Sequence, residues 1–173
     1  MNETMITLLN RRSIRKFKQD QITDEELNAV LEAGKYAPSG ANQQSAIFVA
    51  VQNKEVIQKI TKMNADIMGK DMDTYYGAPT IILVLADKSK VAPVEDGSIA
   101  IGNMHNAAYS LGLGACWVHR ERQMFESEEG KSLLKEWGVE GDFIGVGSLI
   151  LGYPDCEQPK ASPRKENSVF IIK

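Results

Sequence analysis

The spacing of apolar residues changes several times along the chain, and each change marks an element. Met5, Ile6, Leu8 and Leu9 recur at helical spacing between Thr4 and Asn10, which predicts a short amphipathic helix ending at Arg11 and Arg12. Thr23 and Glu26 stand at the spacing of a capping box, and Leu27, Val30 and Leu31 then share one helical face until Gly34. Ala37 to Ser45 has no apolar period and reads as a loop, held at the surface or ordered by something it binds. Ile47 to Val51 read as a strand. Val56, Ile57, Ile60, Met63 and Ile67 predict a helix over Lys54 to Met68, and the unbroken apolar run from Pro79 to Ala86 predicts a buried strand. The segment from Glu95 to Leu111 is apolar around much of its circumference, so it is expected as a central helix, closed by Gly112 and Gly114. A strand through Ala115 to Val118, a helix around Glu128 to Trp137 and a strand from Phe143 to Leu151 follow. The tail from Ser168 to Ile172 reads as a terminal strand, which needs a partner edge in its own chain or in a second copy.

This series predicts a mixed α+β domain over residues 1–173, with no internal repeat and no low-complexity segment. A chain of 173 residues with average apolar and charged content has enough core to fold as one unit. The formal net charge of −3 argues against a general nucleic-acid binder, which needs a clear basic excess to meet phosphates. Apolar runs such as Ala78 to Ala86 fall short of the roughly 20 residues of a membrane-spanning helix. Cys116 and Cys156 are too few for a disulfide framework, and Met1-Asn2-Glu3 does not open a signal pattern, so a reducing, cytoplasmic location is expected.

Basic residues are concentrated locally, and this is where chemistry is sought. Arg11-Arg12-Ser13-Ile14-Arg15-Lys16-Phe17 places guanidinium forks and a hydroxyl directly after a helix, a set able to clamp a phosphate bidentately while Arg15 reaches a second polar group. The plainer reading is a solvated basic turn, since cations are favoured at a helix C-terminus anyway. Pro38-Ser39-Gly40-Ala41-Asn42-Gln43-Gln44 is a small-residue loop whose backbone can approach a flat ligand. Amides such as Asn42 and Gln44 offer both a donor and an acceptor to the edge of a heterocycle; the plainer reading is an ordinary connection. Pro163-Arg164-Lys165 would complete a phosphate site from the other side, or belongs to a solvated tail.

In combination these clusters are more specific than any one of them. The order Arg-Arg-Ser-x-Arg-x-Phe, Ala-Pro-Ser-Gly-Ala-Asn-Gln-Gln, Tyr-Gly-Ala-Pro before a buried strand, Gly-Leu-Gly-Ala-Cys-Trp, and Gly-Tyr-Pro followed by Pro-Arg-Lys resembles the FMN-dependent nitroreductase family over nearly the whole chain. The resemblance implies an α+β fold with a mixed sheet flanked by helices, in an intertwined homodimer with one FMN in each of two sites at the subunit interface. It implies that Arg11, Ser13, Arg164 and Lys165 hold the flavin phosphate, with Arg12 near the ribityl chain and Arg15 at the pyrimidine end of the ring. Pro38, Ser39, Gly40 and Asn42 would come from the other subunit, and Trp117 and Val118 would line the isoalloxazine. The implied reaction is ping-pong electron transfer from NADH or NADPH to a small acceptor such as a nitroaromatic or quinone. The flavin carries that chemistry, so no catalytic side chain is assigned.

Other patterns carry less. Gly112-Leu113-Gly114 follows a helix, and Trp117 stands where a dinucleotide fingerprint needs a third glycine; Gly145-Val146-Gly147 fails similarly. Cys116 and His119 would point to opposite faces of a strand, and no second pair accompanies them, so no metal site is expected. His105 reads as a satisfied core histidine and the seven methionines as core filling. From Asp66 to Tyr76, where longer family members contact the flavin, only Lys70 is a candidate. A flavin-storing, delivering or sensing protein, and a small anion-binding module without flavin, are the alternatives in other classes.

Overall fold

A computed structural model describes residues 1–173. Its order is α1 (Glu3–Asn10), α2 (Asp24–Lys35), a 3-10 turn (Gly40–Asn42), β1 (Ala46–Val51), α3 (Lys54–Met68), β2 (Thr80–Asp87), α4 (Pro93–Ser110), β3 (Gly114–Val118), α5 (Glu121–Glu126), α6 (Glu128–Glu136) and β4 (Phe143–Gly152). The helix starts follow from local chemistry. Asn2 accepts from the Met5 N–H at α1, Thr23 and Glu26 form the reciprocal capping box at α2, and Asn53 accepts from the Glu55 and Val56 N–H groups at α3. Tyr153 adds a hydroxyl bond of 2.7 Å to Glu26, which ties the start of α2 to the end of β4.

The sheet has four strands in the order β1-β2-β4-β3, and every neighbouring pair is antiparallel. Its mixed character comes from one parallel bridge, Ser13 to Ala115, on the outer edge of β3. Strand alternation sends Ile81, Leu83, Leu85, Cys116, Val118 and Ile150 to one face, where they meet Ile60, Met63, Met124 and Leu133 of α3, α5 and α6. Ile82, Val84, Ala86, Ala115, Leu149 and Leu151 point the other way, against Val30 of α2 and Ile101, Met104 and Ala108 of α4. Covered on both sides, β2 needs apolar residues at successive positions, which is why it reads as an unbroken run. Each fully buried Leu or Ile there contributes about 1.5–3 kcal/mol relative to exposure.

Between Val84 and Leu85 the register against β4 slips from Gly147 to Gly145, leaving Val146 as an extra residue. The bulge turns Val146 towards α4, and the helix meets it with Gly97. A Cβ at position 97 would lie 2.7 Å from Val146 Cγ2, so a larger residue there would push α4 off the sheet.

Two expectations are corrected. The intertwined homodimer was implied by the family resemblance, and nothing in the fold supports it; the terminal strand from Ser168 to Ile172, expected to pair in its own chain or in a second copy, is absent. Val169 to Ile172 are instead 74–94% exposed. An apolar run at a terminus has no local signal that supplies its partner, so composition alone overstated it. The second correction is an added element: α5, a six-residue helix directly after β3, in a segment to which the apolar spacing assigns no element. No helix is long and apolar enough to cross a membrane.

Candidate cofactor site

The basic segment Arg11 to Phe17 is laid along the edge of the sheet. The Arg11 N–H closes α1 by donating to the Thr7 carbonyl, and the chain then runs extended. Ile14 donates to the Ala115 carbonyl at 2.9 Å, Phe17 bridges Pro154, and Lys18 donates to the Tyr153 carbonyl at 2.9 Å. Ile14 and Phe17 are buried, while Arg15 and Lys16 are exposed between them. The two apolar anchors thus fix the backbone and leave the cations facing outward.

Each cation has a distinct setting. The Arg11 guanidinium is half-buried, with Nη1 3.5 Å from Nδ1 of His105 on α4. A guanidinium only donates, so Nδ1 is the acceptor and the imidazole proton sits on Nε2. Burial first, and the Arg11 charge second, push His105 down to about 4, which keeps the ring neutral in that role. Arg12 is turned back on its own helix. Its Nη1 donates to the Leu9 and Arg11 carbonyls at 2.8 and 2.7 Å, and its Nε is buried without a partner. The Arg15 guanidinium carbon lies 5.9 Å from the centre of the Tyr76 ring, a cation–π distance. Lys16 pairs with Asp155 at 3.3 Å. No carboxylate pairs with Arg11, Arg12, Arg15, Arg164 or Lys165 in any of the ion pairs formed.

The amide loop lies at the other end of α4. Asp96 in the first turns of that helix accepts from the Gly40 N–H at 2.8 Å and from the Ser45 hydroxyl at 2.6 Å, and Gln43 Oε1 accepts from the Val91 N–H at 3.0 Å. Ser39 Oγ accepts from the Gln44 N–H at 3.0 Å. Asp96 and His105 are nine residues apart on α4, or about 14 Å along its axis. Within one chain, therefore, Pro38, Ser39, Gly40 and Asn42 are separated from Arg11 and Ser13. The tail is separate too. Gln158 donates to the Asn10 carbonyl at 2.6 Å, but Arg164 and Lys165 are exposed and make no hydrogen bond to the basic segment.

Trp117 and Val118 diverge. Trp117 packs on the α4 side of the sheet with its indole over Gly147, where a Cβ would lie 2.5 Å from the ring nitrogen. Val118 sends its side chain into the opposite core, which leaves its backbone alone for a ligand on the Trp117 side. A cavity of about 1040 Å³ lies elsewhere, between α3 and the 69–79 loop; Lys70 lines it, whereas none of the Arg11, loop or Trp117 positions does.

A model of the nitroreductase family matches residues 8–153, which includes the basic segment, the amide loop and Trp117. The chain belongs to the nitroreductase family. It is 35% identical over 163 residues to a provisionally named NADH dehydrogenase/NAD(P)H nitroreductase of Methanothermobacter thermautotrophicus, covering 91% of this chain and 80% of that protein. Among solved structures it is similar to a nitroreductase with bound FMN from Bacteroides fragilis, at 29% identity and a TM-score of 0.91, with both chains fully covered. A nitroreductase with bound FMN from Desulfitobacterium hafniense gives 28% identity and a TM-score of 0.88 over 99% of this chain and all of that one.

This nitroreductase-family chain also carries a buried polar cluster on the other face of the sheet. Glu121, wholly buried at the start of α5, accepts from the hydroxyls of Ser148 and Tyr75, while its Oε2 has no partner. Burial pushes its carboxyl up to about 7 and the Tyr75 phenol well above its ordinary value. Arg120 donates to Asn64 at 3.1 Å at the cluster's margin. Sequence reasoning passed over Asp96, His105 as a partner of Arg11, Tyr76 as a partner of Arg15, and Glu121. Asp96 carried a usable signal, an acidic residue in the first turns of an otherwise apolar helix.

Proposed function

We propose that this chain binds FMN along the Arg11–Phe17 segment and works as an oxidoreductase, moving electrons from NADH or NADPH to a small acceptor such as a nitroaromatic or a quinone. The observation that carries this reading is the set of guanidinium groups left without carboxylate partners at the edge of β3, beside Trp117. Unneutralised arginines suit a phosphate monoester, which they meet through charge-assisted forks. The FMN in similar structures and the NAD(P)H in a relative's name support the same reading.

In it, Arg11, Ser13, Arg164 and Lys165 hold the phosphate. Arg12 sits near the ribityl chain, where its buried Nε has no partner within the chain. Arg15, braced by Tyr76, meets the pyrimidine end, and Trp117 with the Val118 backbone lines the ring. Pro38, Ser39, Gly40 and Asn42 approach from a second copy of the chain, in keeping with their distance from Arg11 in a single copy. Bound FMN supplies the hydride and electron chemistry. The chain's own work is to hold the phosphate, orient the ring and place a fixed positive charge at Arg15, where it favours the more negatively charged, reduced cofactor.

An anaerobic stopped-flow trace of the FMN-loaded protein mixed with NADH, and separately with NADPH, tests this. Rapid bleaching of the visible flavin band, reversed by a quinone or a nitroaromatic, is expected and gives the two halves of a ping-pong cycle. A flavin that neither nucleotide bleaches would point instead to storage, delivery or sensing.

A further inference from the structure

Asp96 is 4% exposed, and no cation lies against it. Burying a carboxylate without a counter-charge is costly unless hydrogen bonds replace the lost water. Here the replacement is limited to the Gly40 N–H on one oxygen and the Ser45 hydroxyl on the other. Both bonds end on the amide loop, one at its start and one at its exit into β1. An apolar residue would fill the same place on α4 at lower cost to the fold.

The loop has need of such a tether. Ala41, Asn42 and Gln44 all adopt positive φ, at 49°, 54° and 50°. Residues with side chains disfavour that region, by about 1 kcal/mol or more each, and adopt it only where surrounding structure enforces it. Gly40 is pressed against the start of α4, where a Cβ would lie 3.1 Å from Ala92 Cβ, and Gln43 takes the Val91 N–H just before the helix. The start of α4 is therefore the surface on which the loop is shaped, and Asp96 is the one charged side chain hydrogen-bonded to it.

We infer that Asp96 is a positioning residue for the flavin site: its carboxylate clamps both ends of the Ser39–Ser45 loop and holds the strained backbone in the shape that meets the cofactor. This rests on the reading that the loop contacts FMN. Asp96 itself touches neither flavin nor substrate in this assignment and acts through Gly40 and Ser45.

The test compares Asp96→Ala, Asp96→Asn and Ser45→Ala with the unaltered chain by two independent readouts. The first is amide hydrogen exchange of the 39–45 segment without flavin; the second is the FMN dissociation constant from fluorescence titration. Asp96→Ala is expected to speed exchange at Gly40 and Gln44 at least tenfold while β2 amides stay protected, and to raise the FMN dissociation constant at least tenfold. Asp96→Asn, which keeps one acceptor oxygen, should recover part of both. Ser45→Ala removes one bond without leaving a charge unpaired at both oxygens, so it reports on the clamp if Asp96→Ala does not fold; an exchange increase confined to the loop is expected. Unchanged loop exchange in folded Asp96→Ala, or in Ser45→Ala where that variant does not fold, would overturn the positioning role. If the unaltered chain takes no FMN, the proposed function fails, while the exchange measurement still decides whether Asp96 shapes the loop.

Discussion

The Arg11 guanidinium donates to Nδ1 of His105 at 3.5 Å, so a buried neutral imidazole on α4 braces a cation at the sheet edge. The contact is long, and its effect on Arg11 orientation should be modest. His105→Leu keeps the packing volume and removes the acceptor. FMN affinity is expected to fall about fivefold, equivalent to ~1 kcal/mol for one hydrogen bond. An unchanged dissociation constant in fluorescence titration would mean that Arg11 is held by its own packing.

Arg11 and Arg164 together should matter far more. Each is assigned a charge-assisted contact to the phosphate, worth about 1.5–3 kcal/mol. The double replacement by alanine is expected to raise the FMN dissociation constant at least a hundredfold, and more at low salt than at high salt because the contacts are ionic. Should riboflavin, which lacks the phosphate, lose as much affinity as FMN in that variant, the phosphate assignment is wrong.

Local chemistry was legible in the sequence where a single element decides it. Lys54–Met68 is legible to the residue from its apolar spacing alone, and the Asn53 cap and the left-handed Gly69 bound the helix at those same positions. The capping box at Thr23 and the two-sided burial of β2 were legible for the same reason. The strand order was not, since pairing β3 with β4 across α5 and α6 depends on which faces meet in space. α5 escaped because its six residues offer no repeat of the helical period. In the candidate site, the basic segment and the loop could be found as motifs, whereas their separation along α4 could not. His105 was read as a core residue with its needs met, which is true of its burial and silent about Arg11.

Two buried groups set opposing pH dependences for stability. Glu121 titrates at about 7 in the fold against 4.5 as its ordinary value, so the folded state binds the proton more tightly. Its contribution is fully present below about pH 4.5 and is lost as pH rises towards 7. His105 titrates at about 4 against 6.5, so the fold prefers it neutral. That contribution is present above pH 6.5 and is lost as pH falls towards 4. In urea titrations, Glu121→Gln should therefore grow more stable relative to the parent as pH rises from 5 to 7. His105→Leu should grow more stable relative to the parent over the reverse course. Parallel curves for Glu121→Gln and the parent would show that the carboxyl is not taking up a proton in the fold.

Gly147 and Trp117 give a test of how the proposed ring wall is built, since the indole lies where a side chain at 147 would begin. A Cβ there would be 2.5 Å from the indole nitrogen and 2.7 Å from Cε2, too close for both to remain. The bulge at Val146 fixes β4, so the flexible partner is the half-exposed Trp117 side chain. Gly147→Ala is thus expected to swing the indole outward at a cost of about 1–3 kcal/mol, as for other overpacked sites. In a Trp137→Phe background, which leaves Trp117 as the only indole, its emission should shift to the red and the melting temperature should fall. Emission and melting that match the Trp137→Phe parent would show that Trp117 does not rest on Gly147, and would remove it as a wall of the flavin site.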